Sequence, residues 1–220
     1  MRKAALLLLA AFAARAQCQT TLEDAIHRIE SRRGGRVIAE RSDTARIREV
    51  ALICIKEERK LELWINGGLA KIYPMTAFSG GPGPKLREGD RQIPEGIYPA
   101  VHLNPNSAFH LSIKVGYPNA WDREWAKEEK RTRLGGDIFI HGEDVTIGCI
   151  PIGNRAIEEV FWAVYRAEPS HTRIVIAPKD FRRDGRNMRG AQGKIGELYA
   201  ALAGELSKYR ANHHKTDKAN

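Results

Sequence analysis

The sequence predicts a single, mostly β domain with a few helices. The continuous apolar run Val50–Ile55 is typical of a strand that is buried on both faces. The next run, Leu61–Ile65, alternates apolar and polar residues and leads into Asn66-Gly67, a strong signal for a tight hairpin turn. A length of 220 residues suits one compact domain with short ends.

The first 16 residues have the layout of a secretory signal peptide. Positive charges at the start precede an apolar stretch, and Ala14-Arg15-Ala16 supplies the small residues of a cleavage site. We therefore expect cleavage after Ala16 and export of the chain. A retained membrane anchor is the alternative, but residues 4–14 are too short for a spanning helix, which needs roughly 20 apolar residues. A lipid anchor on Cys18 is a weaker alternative, since the preceding residues do not form the usual lipoprotein box.

The formal net charge is +9, and the chain stays basic after removal of Arg2, Lys3 and Arg15 with the signal. Outside the cytoplasm, a basic surface favours anionic envelope polymers or lipid headgroups. The export signal argues against a nucleic-acid partner, and no zinc-finger spacing or RNA-binding aromatic motif supports one.

Segments 17–49 and 50–79 form the first half of the prediction. Leu22, Ile26 and Ile29 have helical spacing and indicate a short N-terminal helix in segment 17–49, followed by a loop through Gly34-Gly35. Three strands of an antiparallel meander then cover residues 50–79. Residues 80–96 are rich in glycine and proline, and a long ordered loop inside a compact domain is often functional.

The second half continues the β pattern with helices between the strands. The predicted strands are Ile97–Val101, His110–Val115, Asp137–Ile140 and Arg173–Ala177, and residues 121–134 form a charged helix or lid. Another helix follows Cys149, with Asn154 as its N-cap and an apolar stripe made of Ile157, Val160, Phe161 and Val164. Residues 179–220 form a basic extension with one helix around Ile195–Leu206 and a disordered tail.

Three cysteines leave at least one thiol unpaired in an oxidising compartment. Cys54 lies in the first apolar run, where a buried inert thiol is expected. A Cys18–Cys54 disulfide would leave Cys149 free, and the sequence alone leaves that pairing open. A structural disulfide that uses Cys149 is a further alternative.

A candidate catalytic site lies in the stretch from Ile138 to Pro151. A strand ends at His141, and a short loop leads back to Cys149. A nucleophilic cysteine needs a lowered pKa and a nearby base, and His141 can take the thiol proton and return it to a leaving amine. Gly148 lets the backbone approach a carbonyl, where N–H groups near Cys149 can form an oxyanion hole, and Thr146 can hydrogen-bond within the loop.

A metal site is the alternative to a catalytic site in this stretch. His141, Glu143, Asp144 and Cys149 are all ligand types, but their spacing is not that of a paired metal motif. We therefore expect no metal.

The same stretch resembles the signature of L,D-transpeptidase (YkuD-type) catalytic domains, in which a His-Gly pair precedes Ser or Thr, one residue, Gly and Cys. Here these are His141-Gly142, Thr146 and Gly148-Cys149. Four further stretches are similar to segments of that family, and the last two are similar to its YafK-like branch. They are Gly83–Asp90, Pro94–Tyr98, Leu103–Ser107 and Gly116–Asn119.

The resemblance covers about residues 50–178 and implies an L,D-transpeptidase-like β-sandwich or barrel. It implies that Cys149 is the acyl-accepting nucleophile, that His141 is its base, and that a backbone carbonyl orients the histidine. The substrates would be peptidoglycan stem peptides in the periplasm, with no cofactor, and we expect a monomer. The candidate substrate-binding residues are Lys85, Asp90, Tyr98, Tyr117 and Gly142.

Two departures from the family pattern leave the reaction open. The loop from His141 to Cys149 is shorter than usual, as in the YafK-like branch, and Pro151 stands where many transpeptidases have Arg. That branch is linked to release of peptidoglycan-attached proteins, so a hydrolytic amidase with an attached lipoprotein as partner is an alternative. A non-catalytic peptidoglycan-binding module is another.

Overall fold

The structure is a computed structural model that describes residues 19–33, 46–183 and 191–210. The predicted signal peptide, Cys18, the Gly34-Gly35 loop and the end of the tail lie outside these residues. Within them, no helix is long and apolar enough to cross a membrane.

The described residues form eight strands and four α-helices, which confirms the predicted mostly β class. The helices are α1 (Leu22–Arg33), α2 (Ala120–Glu128), α3 (Asn154–Ala167) and α4 (Gly193–Leu206). The strands are β1 (Val50–Ile55), β2 (Lys60–Ile65), β3 (Gly68–Pro74), β4 (Gly96–Asn104), β5 (Ser112–Val115), β6 (Phe139–His141), β7 (Ile150–Pro151) and β8 (Thr172–Ala177).

All eight strands belong to one sheet in the order β3-β2-β1-β8-β4-β5-β6-β7. The β1–β8 and β6–β7 pairs are parallel, and the other neighbours are antiparallel. The predicted meander is confirmed: Asn66 and Gly67 have φ values of 49° and 80°, as a tight hairpin requires, and Ile65 pairs with Gly68.

The continuous apolar run of β1 is explained by cover on both faces. Val50, Leu52 and Cys54 belong to the main core, to which α1 and α3 also contribute. The alternate residues Ala51, Ile53 and Ile55 pack in a second core with side chains of α4. The basic C-terminal segment thus supplies one of the two layers that bury the central strand.

Several predicted element boundaries are wrong. The strand predicted over Asp137–Ile140 is Phe139–His141, since Asp137 has a φ of 53°. The strand predicted from His110 starts at Ser112, since His110 has a φ of 72°, outside the extended region. The helix predicted over 121–134 ends at Glu128, because Lys130 has a φ of 56°. Asn154 is not the N-cap of α3. That position is Gly153, which makes no capping side-chain bond, and Asn154 serves the active-site loop instead.

Candidate active site

The parallel pair β6–β7 brings the predicted nucleophile and base to one place. Ile140 pairs with Ile150 and His141 with Pro151. Cys149 directly precedes β7, so this register puts it on the same face of the ribbon as His141, one diagonal step away. With ordinary strand spacing, that step separates the two Cα atoms by about 8 Å.

The His141 ring is held in one orientation by the adjacent backbone. Its Nδ1 lies 2.6 Å from the carbonyl oxygen of Gly142. Since a carbonyl oxygen only accepts, Nδ1 carries the proton, and the neutral ring keeps a lone pair on Nε2. The residue is 1% exposed, and this burial lowers its pKa although the bond to Gly142 opposes the shift. The imidazole is therefore neutral near pH 7 and can accept a proton.

Cys149 is partly exposed, and its thiol donates to the carbonyl oxygen of Asp137 over 3.6 Å. Burial raises the thiol pKa, while a backbone hydrogen bond from Phe139 and the charge of Lys85 lower it less strongly. No hydrogen bond joins the sulfur to His141 within the described part of the chain. The resting pair is thus a neutral thiol and a neutral imidazole, whereas the sequence reasoning called for a lowered thiol pKa.

Thr146 shapes the turn that carries the nucleophile. Its hydroxyl oxygen accepts a bond from the Gly148 N–H at 3.1 Å and donates to the carbonyl oxygen of Cys149 at 2.8 Å. The N–H of Gly148 is therefore occupied. The N–H of Cys149 has no hydrogen-bond partner among the described residues, and it is the donor available to a developing oxyanion.

Glycine is required at both ends of the loop between the two catalytic candidates. Gly148 has a φ of 135°, and a Cβ there would lie 3.1 Å from the carbonyl oxygen of Gln92. A Cβ on Gly142 would collide with the side-chain oxygen of Asn154 and lie 2.7 Å from the carbonyl oxygen of Phe109. Gly142 is thus a buried, close-packed position.

Asn154 and Thr76 hold this loop from outside. The Asn154 side chain accepts from the Glu143 N–H at 2.8 Å and donates to the Glu143 carboxylate at 2.9 Å. The Thr76 hydroxyl donates to the Glu143 carbonyl oxygen at 2.7 Å. These bonds explain why Asn154 does not cap α3, and they connect the loop to the segment after β3.

Lys85 and Asp90 bind each other rather than presenting free charges. The Lys85 ammonium lies 2.7 Å from Asp90, whose carboxylate also accepts backbone N–H groups of Leu86, Arg87 and Gln92. Burial would raise the pKa of Asp90, but these bonds outweigh it and lower that pKa. The pair therefore shapes the loop, and the Lys85 charge acts on Cys149 through space.

Tyr98 and Tyr117 lie in the main core, 1% and 5% exposed, with their rings edge to face at 6.1 Å. The Tyr98 hydroxyl donates to the carbonyl oxygen of Glu95 at 3.0 Å, and that of Tyr117 lies 3.3 Å from the carbonyl oxygen of Leu134. Both rings are enclosed by the core rather than exposed on the surface. Their hydroxyls support the backbone around the site instead.

Sequence reasoning missed Phe109, whose ring lies over His141 at 4.6 Å between centroids. The side chain is 40% exposed, so it covers the imidazole while facing solvent. The segment that carries Phe109 is held in place because the Gly142 N–H donates to the carbonyl oxygens of both Phe109 and Leu111. The only signal in the sequence was an apolar residue next to the Leu103–Ser107 segment.

Two rival interpretations of the site concern a metal ion and a disulfide that uses Cys149. Within the described residues, no group of three or more His, Cys, Asp or Glu side chains is arranged to hold a metal. Cys54 and Cys149 are both free thiols, and Cys54 is fully buried, with its pKa raised by burial to about 12. The predicted burial of Cys54 is confirmed.

Comparison with known proteins agrees with the resemblance seen in the motifs. The "Putative L,D-transpeptidase YafK" of Escherichia coli K12 is 38% identical over 144 residues, which cover 61% of this chain and 55% of that protein. The chain therefore spans about half of the length of that relative.

Solved structures with similarity to the chain include two further bacterial proteins. The helical cell shape determining protein Pgp2 of Campylobacter jejuni has a TM-score of 0.46 at 16% identity, with 79% of this chain and 77% of that chain covered. Bd1075 of Bdellovibrio bacteriovorus has a TM-score of 0.44 at 20% identity, with 76% and 58% covered.

The family assignment comes from the sequence match to a domain family. The model of the L,D-transpeptidase catalytic domain, YkuD, matches residues 48–176, which is more than half of the chain and includes both His141 and Cys149. The chain therefore belongs to the YkuD family of L,D-transpeptidase catalytic domains.

Proposed function

We propose that this protein is a cysteine acyltransferase that acts on peptidoglycan stem peptides through an acyl-Cys149 intermediate. The observation that supports this most directly is the arrangement of two neutral groups on one face of the β6–β7 ribbon. A partly exposed thiol lies on the same face as an imidazole whose Nδ1–H is bound to Gly142, so that Nε2 is available as a base.

The proposed reaction has two halves. First, Nε2 of His141 takes the thiol proton while the sulfur attacks a peptide carbonyl carbon, and the N–H of Cys149 stabilises the oxyanion. The imidazolium then gives the proton to the leaving amine, and a thioester remains. Next, an incoming amine or water loses a proton to His141 and attacks the thioester, and the proton returns to the sulfur.

The neutral resting state is compatible with this sequence of steps. A thiolate is the attacking species, so the proton must move to His141 before or as the sulfur bonds to carbon. The proton transfer is coupled to formation of the carbon–sulfur bond, so the thiolate need not accumulate before the attack.

Acylation of Cys149 by a carbapenem tests the enzymatic proposal directly. We expect intact-protein mass spectrometry to show one covalent adduct after exposure to a carbapenem, and peptide mapping to place it on Cys149. The fully buried Cys54 is an internal control for non-specific thiol modification. If wild type and Cys149→Ala behave alike, the protein is instead a binding module that retains the fold.

Hydrolysis is the second candidate, and one residue favours it. Pro151 occupies the position where many transpeptidases have Arg, so a positive group that could hold an acceptor or donor is missing there. Incubation with muropeptides, with and without an amine acceptor, separates the reactions. New cross-links that require the amine support transfer, and free peptide or attached protein released in both conditions supports an amidase.

We also propose that the protein acts in the periplasm after cleavage at Ala16. The basis is the signal-like N-terminus together with the proposed action on peptidoglycan. Cell fractionation followed by N-terminal sequencing of the mature protein tests it. A chain that begins at Met1 in the cytoplasmic fraction would contradict the proposal.

A further inference from the structure

One buried ammonium group joins the two ends of the loop beside the nucleophile. Nζ of Lys56 donates to the carbonyl oxygen of Gly83 at 2.7 Å and to that of Ile93 at 3.1 Å. Its third partner is the Glu95 carboxylate at 2.7 Å. An ammonium group has three protons, so this set uses all of them, and it closes the segment 83–93 into a loop.

Segment 83–93 is the wall against which the nucleophile turn packs. The carbonyl oxygen of Gln92 lies 3.1 Å from the place where a side chain on Gly148 would begin. The same segment carries Lys85, whose positive charge favours the thiolate of Cys149. A small shift of this loop would therefore change both the space and the charge around the sulfur.

The ion pair that closes the loop is almost completely removed from solvent. The side chains of Lys56 and Glu95 are 3% and 0% exposed. Charges at such depth are costly unless every hydrogen-bonding position is used, and loss of one partner leaves the other uncompensated. An apolar pair at these two positions would pack in the sheet equally well. What the Lys56 ammonium adds is a fixed position for the carbonyl groups of Gly83 and Ile93.

Helix α4 completes the arrangement from outside the family match. The Tyr199 hydroxyl donates to the second Glu95 carboxylate oxygen at 2.9 Å. Lys56 and Glu95 lie within residues 48–176, whereas Tyr199 lies beyond them. One oxygen of Glu95 thus faces the loop through Lys56, and the other faces α4.

We propose that Lys56 is a positioning residue for the reaction of Cys149, and that Tyr199 connects the C-terminal helix to the active-site loop through Glu95. The catalytic part of this inference rests on the proposed function. The positioning of the loop around the sulfur does not depend on it and can be measured separately.

The main test uses the double variant Lys56→Met/Glu95→Gln, which removes both charges together and leaves no buried ion unpaired. We expect the carbapenem acylation rate constant to fall about tenfold or more, since small misplacements in an active site are costly. Lys56→Arg keeps a charged donor and should recover part of the rate. Tyr199→Phe removes a single hydroxyl and should give a smaller decrease at unchanged thermal stability.

Arg182→Met is the matched control. Arg182 is also a largely buried cation with several acceptors, namely Glu62, Asp180 and the carbonyl oxygen of Tyr209, and none of these acceptors lies in segment 83–93. It should lower the melting temperature and leave acylation of the folded protein unchanged. Equal slowing in this control and in the double variant would overturn the proposal, because the effect would then reflect general destabilisation.

Alkylation of Cys149 by iodoacetamide separates this inference from the proposed function. The reaction needs only the thiolate, so it remains measurable if wild type is never acylated by the carbapenem. Displacement of Lys85 in the double variant should move the pH profile of alkylation upward. Profiles and acylation rates that stay within about twofold of wild type in all Lys56 and Tyr199 variants would overturn the proposal.

Discussion

The hydroxyl group of Thr146 donates a hydrogen bond to the carbonyl oxygen of Cys149 across 2.8 Å. The hydroxyl oxygen of Thr146 also accepts a hydrogen bond from the Gly148 N–H, so one side chain holds the backbone on both sides of the nucleophile. The turn thus fixes the orientation of the Cys149 N–H, which is available to an oxyanion.

The first prediction concerns this hydroxyl. Thr146→Val keeps the shape of the side chain but removes both bonds, which leaves the turn less constrained, and we expect acylation of Cys149 to slow by about tenfold. Thr146→Ser keeps the hydroxyl and should stay close to wild type. Stopped-flow measurement of carbapenem acylation checks this, and a Thr146→Val rate equal to that of Thr146→Ser would contradict it.

The second prediction concerns Phe109 and the basicity of His141. Burial lowers the His141 pKa, and the Phe109 ring provides part of the cover. Phe109→Ala should therefore raise that pKa toward the ordinary value of about 6.5. Because the reaction needs neutral imidazole, the acidic limb of the rate profile should move to higher pH. Phe109→Leu keeps an apolar cover and should move it less, and an unchanged limb in Phe109→Ala would contradict the assignment.

The third prediction concerns the resting thiol. Because burial raises the Cys149 pKa, the thiolate fraction at pH 7 should be smaller than that of a free cysteine, and alkylation should be slower. Lys85→Met removes a charge that favours the thiolate and should shift the alkylation profile to still higher pH. Lys194→Met, which removes an exposed lysine of α4 paired with Glu128, is the control and should leave the profile unchanged.

The fourth prediction concerns acid stability. Burial would raise the pKa values of Glu62 and Asp180, but hydrogen bonds from Arg182 outweigh it and hold both pKa values below their usual range. The carboxylates therefore stabilise the fold fully above about pH 4.5, where they are also ionised in the unfolded chain. This stabilisation should disappear as the pH falls through their lowered folded-state pKa values.

Melting temperatures measured from pH 7 to pH 2 check this expectation. Arg182→Met should lower the melting temperature at pH 7 and make its decrease in acid less steep, because the carboxylates then lose the partner that lowers their pKa. Parallel curves for the variant and wild type would show that this network does not determine the acid sensitivity.

The sheet was predictable where local pattern and burial agree. The apolar run of β1 and the Asn66-Gly67 turn specify strands and a hairpin through sterics and hydrophobicity alone. The start of α3 was not predictable, because Asn154 is a good capping residue by type but forms its hydrogen bonds with Glu143. When a side chain has two possible hydrogen-bond partners, tertiary packing determines which one it binds. The neighbouring residues in the sequence do not contain that information.

For the site, the sequence predicted the catalytic candidates from the motif but not the contacts of the residues around them. His141 and Cys149 could be proposed from their types and from the resemblance, and the register of β6 and β7 places them together. Lys85 and Asp90 were expected to bind substrate because they lie in the segment Gly83–Asp90, which resembles the family. They instead satisfy one another, and this depends on the detailed path of the loop. Lys56 gave no signal, since its partners, two backbone carbonyls and the Glu95 carboxylate, are distant in sequence.

Helix α4 carries a practical consequence for work on this protein. The family match stops at residue 176, but Ile53, Ile55 and Val175 obtain their cover from Leu198, Leu202 and Leu206. A chain that ends after Ala177 would expose this apolar surface to water and would be prone to aggregate. A shortened version of the protein should therefore end beyond Tyr209, whose ring packs against Trp64 on the same side of the sheet.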